Sequence, residues 1–148
     1  MNGKLTDRRH SPVNFSIIRF ADVLLMLAEA YNECGETAKA VVELNKVRAR
    51  AGMPGIDSGP SWLADGGQAG MRERIRNERA YELAGEGHRF SDIRRWGIAE
   101  ELLDGRKEVE FIGTTLFTRT FKSRNNLWPV PSEEVTNNPN LLPNNPGW

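Results

Sequence analysis

Cysteine is almost absent from this chain of 148 residues. The single Cys34 excludes an internal disulfide, and without a cysteine pair or a CxxC spacing nothing points to structural zinc or thiol redox chemistry. Histidine is nearly as scarce: His10 and His88 are the only two. His88 with Asp92 four residues on and Glu86 nearby is at most a partial metal set, so no metal or other cofactor is expected. Net charge is missing as well, with 20 basic and 20 acidic residues, which leaves no electrostatic footprint for nucleic acid or for a polybasic membrane anchor. Long apolar runs are lacking too. The longest, Ala21 to Tyr31, is interrupted by Asp22 and Glu29, and no N-terminal run has the shape of a signal peptide. A soluble chain carrying no address is the expectation.

What is present is helical periodicity over a length suited to one domain, 1–148, with a real core. From Ile17 to Cys34, Phe20, Leu24, Leu27, Ala28 and Tyr31 recur at spacings of three and four, and Ile18, Ala21 and Leu25 form a second stripe. A helix apolar on two sides is expected to be buried on two sides. Gly35 closes it. Glu36 or Thr37 opens a second helix with Ala40, Val41, Leu44, Val47 and Ala51 on one face, two arginines in its last turn and Gly52 beyond. Residues 15–54 thus read as a tetratricopeptide-like hairpin, which cannot bury its own face and must stack on another element.

Gly52 to Gly70 holds six Gly and two Pro in nineteen residues and reads as a surface loop. Trp62 inside it either tucks back onto the body or offers a stacking face. A sugar site needs an aromatic face with planar hydrogen-bonding side chains around it, and Trp62 with Asp57, Asp65 and Gln68 is the one loop cluster that offers both. These four are the candidate ligand-binding residues.

The stretch from Met71 to Gly97 concentrates charge. A helix over 71–86 places Glu78, Glu82 and Glu86 on one stripe beside Arg72, Arg76 and Arg79. Gly87 then breaks the chain, Ser91 or Asp92 caps a second helix anchored by Ile93, Trp96, Leu102 and Leu103, and the pair spans 71–104. Three readings compete: a solvated face, a partly buried Glu–Arg network in which Arg89, Arg94 and Arg95 meet the Glu stripe across the break, or a carboxylate pair for hydrolysis by Glu78 and Glu82. A general acid needs a raised pKa, and arginines within reach favour the ionised carboxylate instead. The network, with Glu78, Arg79, Glu82, Glu86, Arg89, Asp92, Arg95 and Trp96 as its members, is therefore favoured, and no catalytic residue is assigned.

Residues 108–121 are rich in β-branched and aromatic side chains around Gly113, enough for two short strands. The tail, 125–148, contains five of the eight prolines and many asparagines, so only Ser132 to Val135 can make a helical turn, capped by Ser132. Its apolar residues suit a strap across the helices. The fold class is mainly all-α: the hairpin, a second helix pair, a long Gly-rich loop, a short β-hairpin and the Pro/Asn-rich strap.

Several ordered blocks together resemble one family. Arg19-Phe20-Ala21-Asp22-Val23-Leu24-Leu25-Met26-Leu27-Ala28-Glu29-Ala30 and Asn45-Lys46-Val47-Arg48-Ala49-Arg50-Ala51-Gly52 are similar to the C-terminal part of SusD/RagB-type outer-membrane nutrient-binding proteins. Glu78-Arg79, Glu82-Leu83, Glu86-Gly87, Arg89, Asp92 and Arg95-Trp96-Gly97 follow that family's "ER..EL..EG.R..D..RWG" run, and Leu127-Trp128-Pro129-Val130-Pro131 and the final Asn145-Pro146-Gly147-Trp148 match its "LWPIP" and "NPGW". The resemblance implies a non-catalytic surface lipoprotein of Bacteroidota that binds glycans or other nutrients and partners a SusC-like TonB-dependent transporter at the outer membrane. It covers only the C-terminal portion, so a fragment or a truncated homologue is expected, with Cys34 inside a helix rather than carrying lipid. A helical-repeat interaction module and, further off, a carbohydrate-active hydrolase remain as alternatives.

Overall fold

The computed structural model describes residues 16–57, 66–110 and 113–148. The chain divides into two compact units, with the boundary between Ala84 and Gly85.

The first unit is three helices: α1 (Phe20–Glu33), α2 (Thr37–Arg50) and α3 (Gly67–Glu82). Periodicity carries α1 and α2, and backbone chemistry ends them. Gly35, at φ 82°, lets its own N–H reach Asn32 O at 3.0 Å while Glu36 N–H reaches Tyr31 O at 2.8 Å, so two carbonyls that the helix end leaves open are satisfied. Gly52 closes α2 in the same way through Ala49 O and Arg48 O. Between the helices lies a core of Leu24, Leu25 and Ala28 from α1, Ala40, Leu44 and Val47 from α2, and Met71 and Ile75 from α3, with Ile56 beneath the turn after α2. Each large apolar side chain buried there stabilises by roughly 1.5–3 kcal/mol.

Two expectations for this unit need correction. α1 is buried on one side only. Ala21 and Leu25 of the second stripe share one buried face with Leu24 and Ala28 of the first, while Phe20 is 73% exposed and Leu27 38%, because α2 and α3 cover that single face. α3 runs one turn earlier at each end than the 71–86 expected, starting within the glycine-rich segment and stopping at Glu82. Gly85 and Gly87 both take positive φ, 78° and 84°, so the chain cannot stay helical to Glu86.

The second unit carries α4 (His88–Arg95), α5 (Ala99–Leu103), β1 (Lys107–Val109), β2 (Thr115–Thr118) and α6 (Ser132–Asn137). Here the expected single helix to Leu103 is two. Gly97 at φ 72° donates to Arg94 O and Ile98 N–H to Ile93 O, the same glycine closure that ends α1 and α2. Gly87 sits at the N-cap of α4, so Ser91 and Asp92 lie inside the helix rather than capping it. Ile93, Ala99 and Phe121 form a small core, with Trp96, Ile98 and Leu103 packed at its edge, while Leu102 is exposed. The strands form an antiparallel pair with a bulge at Glu108/Val109, and every residue of β2 is exposed.

The tail closes on itself. Asn144 both accepts from Val130 N–H at 2.8 Å and donates to Val130 O at 3.2 Å, doing with its side-chain amide what a neighbouring strand does with backbone. Asn145 donates to Trp128 O, and the indole N–H of Trp148 donates to the carbonyls of Arg124 and Leu127. Gly147 permits this, since a Cβ there would stand 2.8 Å from Cβ of Arg124. Leu127, Trp128, Leu141 and Leu142 remain exposed rather than forming the apolar underside of a strap. Pro131, not Ser132, occupies the N-cap of α6.

Candidate functional site

The first unit combines buried charge and a cavity along the same two helices. Arg79 on α3 meets Asp22 on α1 at 2.8 Å, with both side chains about 95% buried. Arg48 on α2 meets Glu78 on α3 at 2.8 Å and donates from Nε to Pro54 O at 2.9 Å, while its buried Nη2 has no partner among the described residues. Glu82, at the end of α3, is held by Arg50 from α2 at 2.5 Å and by Arg19, which precedes α1, at 2.7 Å. The partners of Glu78 and Glu82 therefore come from the hairpin. The sequence reading places them on the following helix, at Arg89, Arg94 and Arg95; the stripe instead turns inward toward α1 and α2, because Met71 and Ile75 on the same face bury there.

Of the remaining network residues, Asp92 pairs with Arg95 at 3.0 Å within α4, and Arg89 and Arg95 flank the Trp96 ring at 5.9 and 4.8 Å. These contacts orient Trp96 over its small core. Glu86 lies between the two glycines, outside any helix.

Beside the ion pairs, α2, α3 and the turn after α2 enclose a cavity of about 660 Å³. That lies within the roughly 300–1,000 Å³ of small-ligand pockets. Met53 and Ala51 supply its accessible apolar surface, backed by the buried Leu44 and Ile56. Along α3, Arg74, Asn77 and Tyr81 follow one another at spacings of three and four and line the other side. Tyr81 is 76% exposed, and neither its hydroxyl nor the Asn77 amide makes a hydrogen bond among the described residues. A ring face and a planar amide therefore stand open together above an apolar wall.

The loop cluster expected to bind ligand falls partly elsewhere. Trp62 and Asp65 lie outside the described residues. Asp57 is described and accepts from Asn45 Nδ2 at 3.1 Å, while Asn45 Oδ1 accepts from Ile56 N–H, so Asn45 pins the turn from both sides. Gln68 sits in the first turn of α3 and donates to Asn32 O at 2.7 Å, and the buried Asn32 amide donates back to Gln68 O at 2.9 Å. Gln68 thus satisfies a carbonyl at the end of α1. Tyr81 and Asn77 were not among the sequence candidates, although an aromatic four residues after an amide on an otherwise charged helix is a legible signal.

A second cavity, about 590 Å³, lies wholly in the second unit, lined by Phe90, Leu103, Phe117, Trp128 and Trp148 among others. Among its polar neighbours, Asn125 Oδ1 accepts from Lys122 N–H, the Trp148 indole bonds two carbonyls, and Arg119 bonds Glu108 at 2.6 Å. Arg119 also holds the Glu108 carboxyl below its usual range, as Lys122 does for Asp104 and Arg72 for Glu33 in the first unit. Among the described residues no group of three or more His, Cys, Asp or Glu is placed to hold a metal, and no helix is long and apolar enough to cross a membrane.

Comparison with known proteins bears on the whole chain. The model of the SusD family matches residues 2–148. A SusD-like protein, P25, of Formosa agariphila is 42% identical over 130 residues, 87% of this chain and 23% of that protein. A crystal structure of a SusD-like protein from Bacteroides fragilis superposes with a TM-score of 0.74 at 34% identity, covering 89% of this chain and 25% of the other. A second from the same species, described as a SusD-like carbohydrate-binding protein, gives 0.66 at 34% identity over 84% of this chain and 28% of that one. The chain spans about a quarter of the length of the relatives it matches.

Proposed function

The chain belongs to the SusD family, and on that footing we propose that it serves, without catalysis, in binding glycans or other nutrients at the bacterial cell surface for import through a SusC-like TonB-dependent outer-membrane transporter. The observation that carries this reading is the match over residues 2–148 together with likeness to a SusD-like carbohydrate-binding protein at 34% identity. The geometry agrees with binding rather than hydrolysis. Glu78 and Glu82, the two carboxylates that line the cavity, are each engaged in ion pairs with arginine, Glu78 with Arg48 and Glu82 with Arg50 and Arg19, so both already serve to join the helices.

The test is calorimetric titration of the full chain with a panel of soluble polysaccharides and oligosaccharides, with reducing-end release followed in parallel. Saturable heat without release of new reducing ends is expected. Turnover would overturn the non-catalytic reading, and silence across the panel would overturn glycan binding by this segment. A second reading, an interaction module, draws on the exposed row Phe20, Val23 and Leu27 on α1. Under it, Phe20→Glu would abolish co-purification with the transporter and leave sugar titrations unchanged.

A further inference from the structure

We infer that the cavity between α2 and α3 is a subsite for one pyranose ring of a glycan chain, with Tyr81 as stacking face and Asn77 as hydrogen-bonding partner. The inference rests on the glycan-binding reading above and gives it a place in the molecule. A pyranose presents an apolar face of C–H groups and a rim of hydroxyls, so its site needs an exposed ring, planar side chains beside that ring and a wall that does not compete for the hydroxyls.

The three requirements meet here. Tyr81 is largely exposed yet lines the cavity, so its ring stands at the mouth. Asn77, one helical turn before it, is exposed and brings an amide with a donor and an acceptor side that nothing among the described residues engages. Met53 and Ala51 present the apolar surface of the cavity, backed by the buried Leu44 and Ile56. The Glu78 and Glu82 carboxylates behind these residues are neutralised by Arg48, Arg19 and Arg50, which removes the charge that would otherwise demand water in the cavity. The second unit's cavity has aromatic surface in greater amount, but the Asn125 side-chain oxygen there already accepts from Lys122 N–H and the Trp148 indole already donates to two carbonyls.

The ion pairs also join the two helices that line the cavity. Arg48–Glu78 and Arg50–Glu82 tie α2 to α3 on either side of Tyr81 in the sequence, so the cavity's two walls keep their spacing. Preformed spacing lowers the ordering cost of binding.

The experiment takes the glycan with the strongest response in the panel and compares wild-type chain with Tyr81→Ala, Tyr81→Phe, Asn77→Ala, Trp62→Ala and Trp128→Ala, each checked for native circular dichroism. Tyr81→Ala is expected to weaken affinity about tenfold and Asn77→Ala about fivefold, with Tyr81→Phe within about threefold of wild type and Trp128→Ala unchanged. Binding that survives Tyr81→Ala and Asn77→Ala but is lost in Trp62→Ala or Trp128→Ala overturns this subsite and leaves the glycan-binding reading standing. No binding by wild-type chain overturns both.

Discussion

The two units solve the same problem with different means. The first holds ten buried apolar residues in one cluster and sets three ion pairs or triads between helices far apart in the chain. The second has three buried apolar residues among those described and relies on local devices: a glycine closure after α4, an asparagine doing a strand's work at Val130, and a terminal tryptophan bonded to two carbonyls. Where a core is ample, charge can be buried because neighbours are fixed well enough to pair it. Where a core is small, order comes from backbone hydrogen bonds that residues close in sequence can satisfy.

Breaking a buried pair in the first unit has the largest expected effect. Arg79→Ala strands the Asp22 carboxylate and is expected to lower the unfolding free energy by about 3–5 kcal/mol, read by urea denaturation followed at the helical signal. Replacing both partners, as Asp22→Asn with Arg79→Met, should recover much of it; an Arg79→Ala midpoint equal to wild type would show that charge is not what holds the first unit.

Next in size, Phe121→Ala removes the largest side chain of the second core and should cost about 3 kcal/mol. The near-ultraviolet signal of Trp96 is expected to fall at lower denaturant than the helical signal. Coincident loss of both would mean that the two units unfold together and do not differ in how they are held.

A smaller effect separates the units by pH. Asp104 accepts from Lys122 Nζ at 2.6 Å and from Phe121 N–H at 3.0 Å, and these partners hold its carboxyl below the ordinary 3.8. A carboxylate with a lowered folded-state pKa contributes stability that is present above the unfolded value and lost as pH falls through the folded one. Acid should therefore loosen the second unit below pH 3.8, and Asp104→Asn should flatten that part of the profile, with tryptophan fluorescence as the probe. Smallest of all, Trp128→Ala should shift stability by no more than about 0.5 kcal/mol, since its ring is 87% exposed.

How much of this was legible in the sequence follows the same division. α1 and α2 could be read nearly to the residue because apolar spacing and closing glycines agree, and the strands near Gly113 were readable from composition. α3 was displaced by one turn because Gly67 and Gly70, which propensity assigns to a loop, are carried into the helix by Met71 and Ile75 locking into the core. The break at Gly97 was missed because Arg94 to Leu103 keeps a helical pattern across it. As for the network, the charged residues stood out, but which arginine meets which carboxylate is decided by tertiary packing that spacing along one helix does not reveal. The candidate site follows the same rule: the spacing of Asn77 and Tyr81 is visible along α3, but the cavity they line exists only once α2 is laid beside them.

The pairing of Arg79 with Asp22 links positions 57 residues apart, and Arg19 with Glu82 spans 63. No one of the three helices can leave the bundle without exposing a charge that another was neutralising, so fraying of a single helix is suppressed. The slowest-exchanging amides of α1, α2 and α3 accordingly belong to one cooperative opening, and deuterium enters all three helices at a common rate.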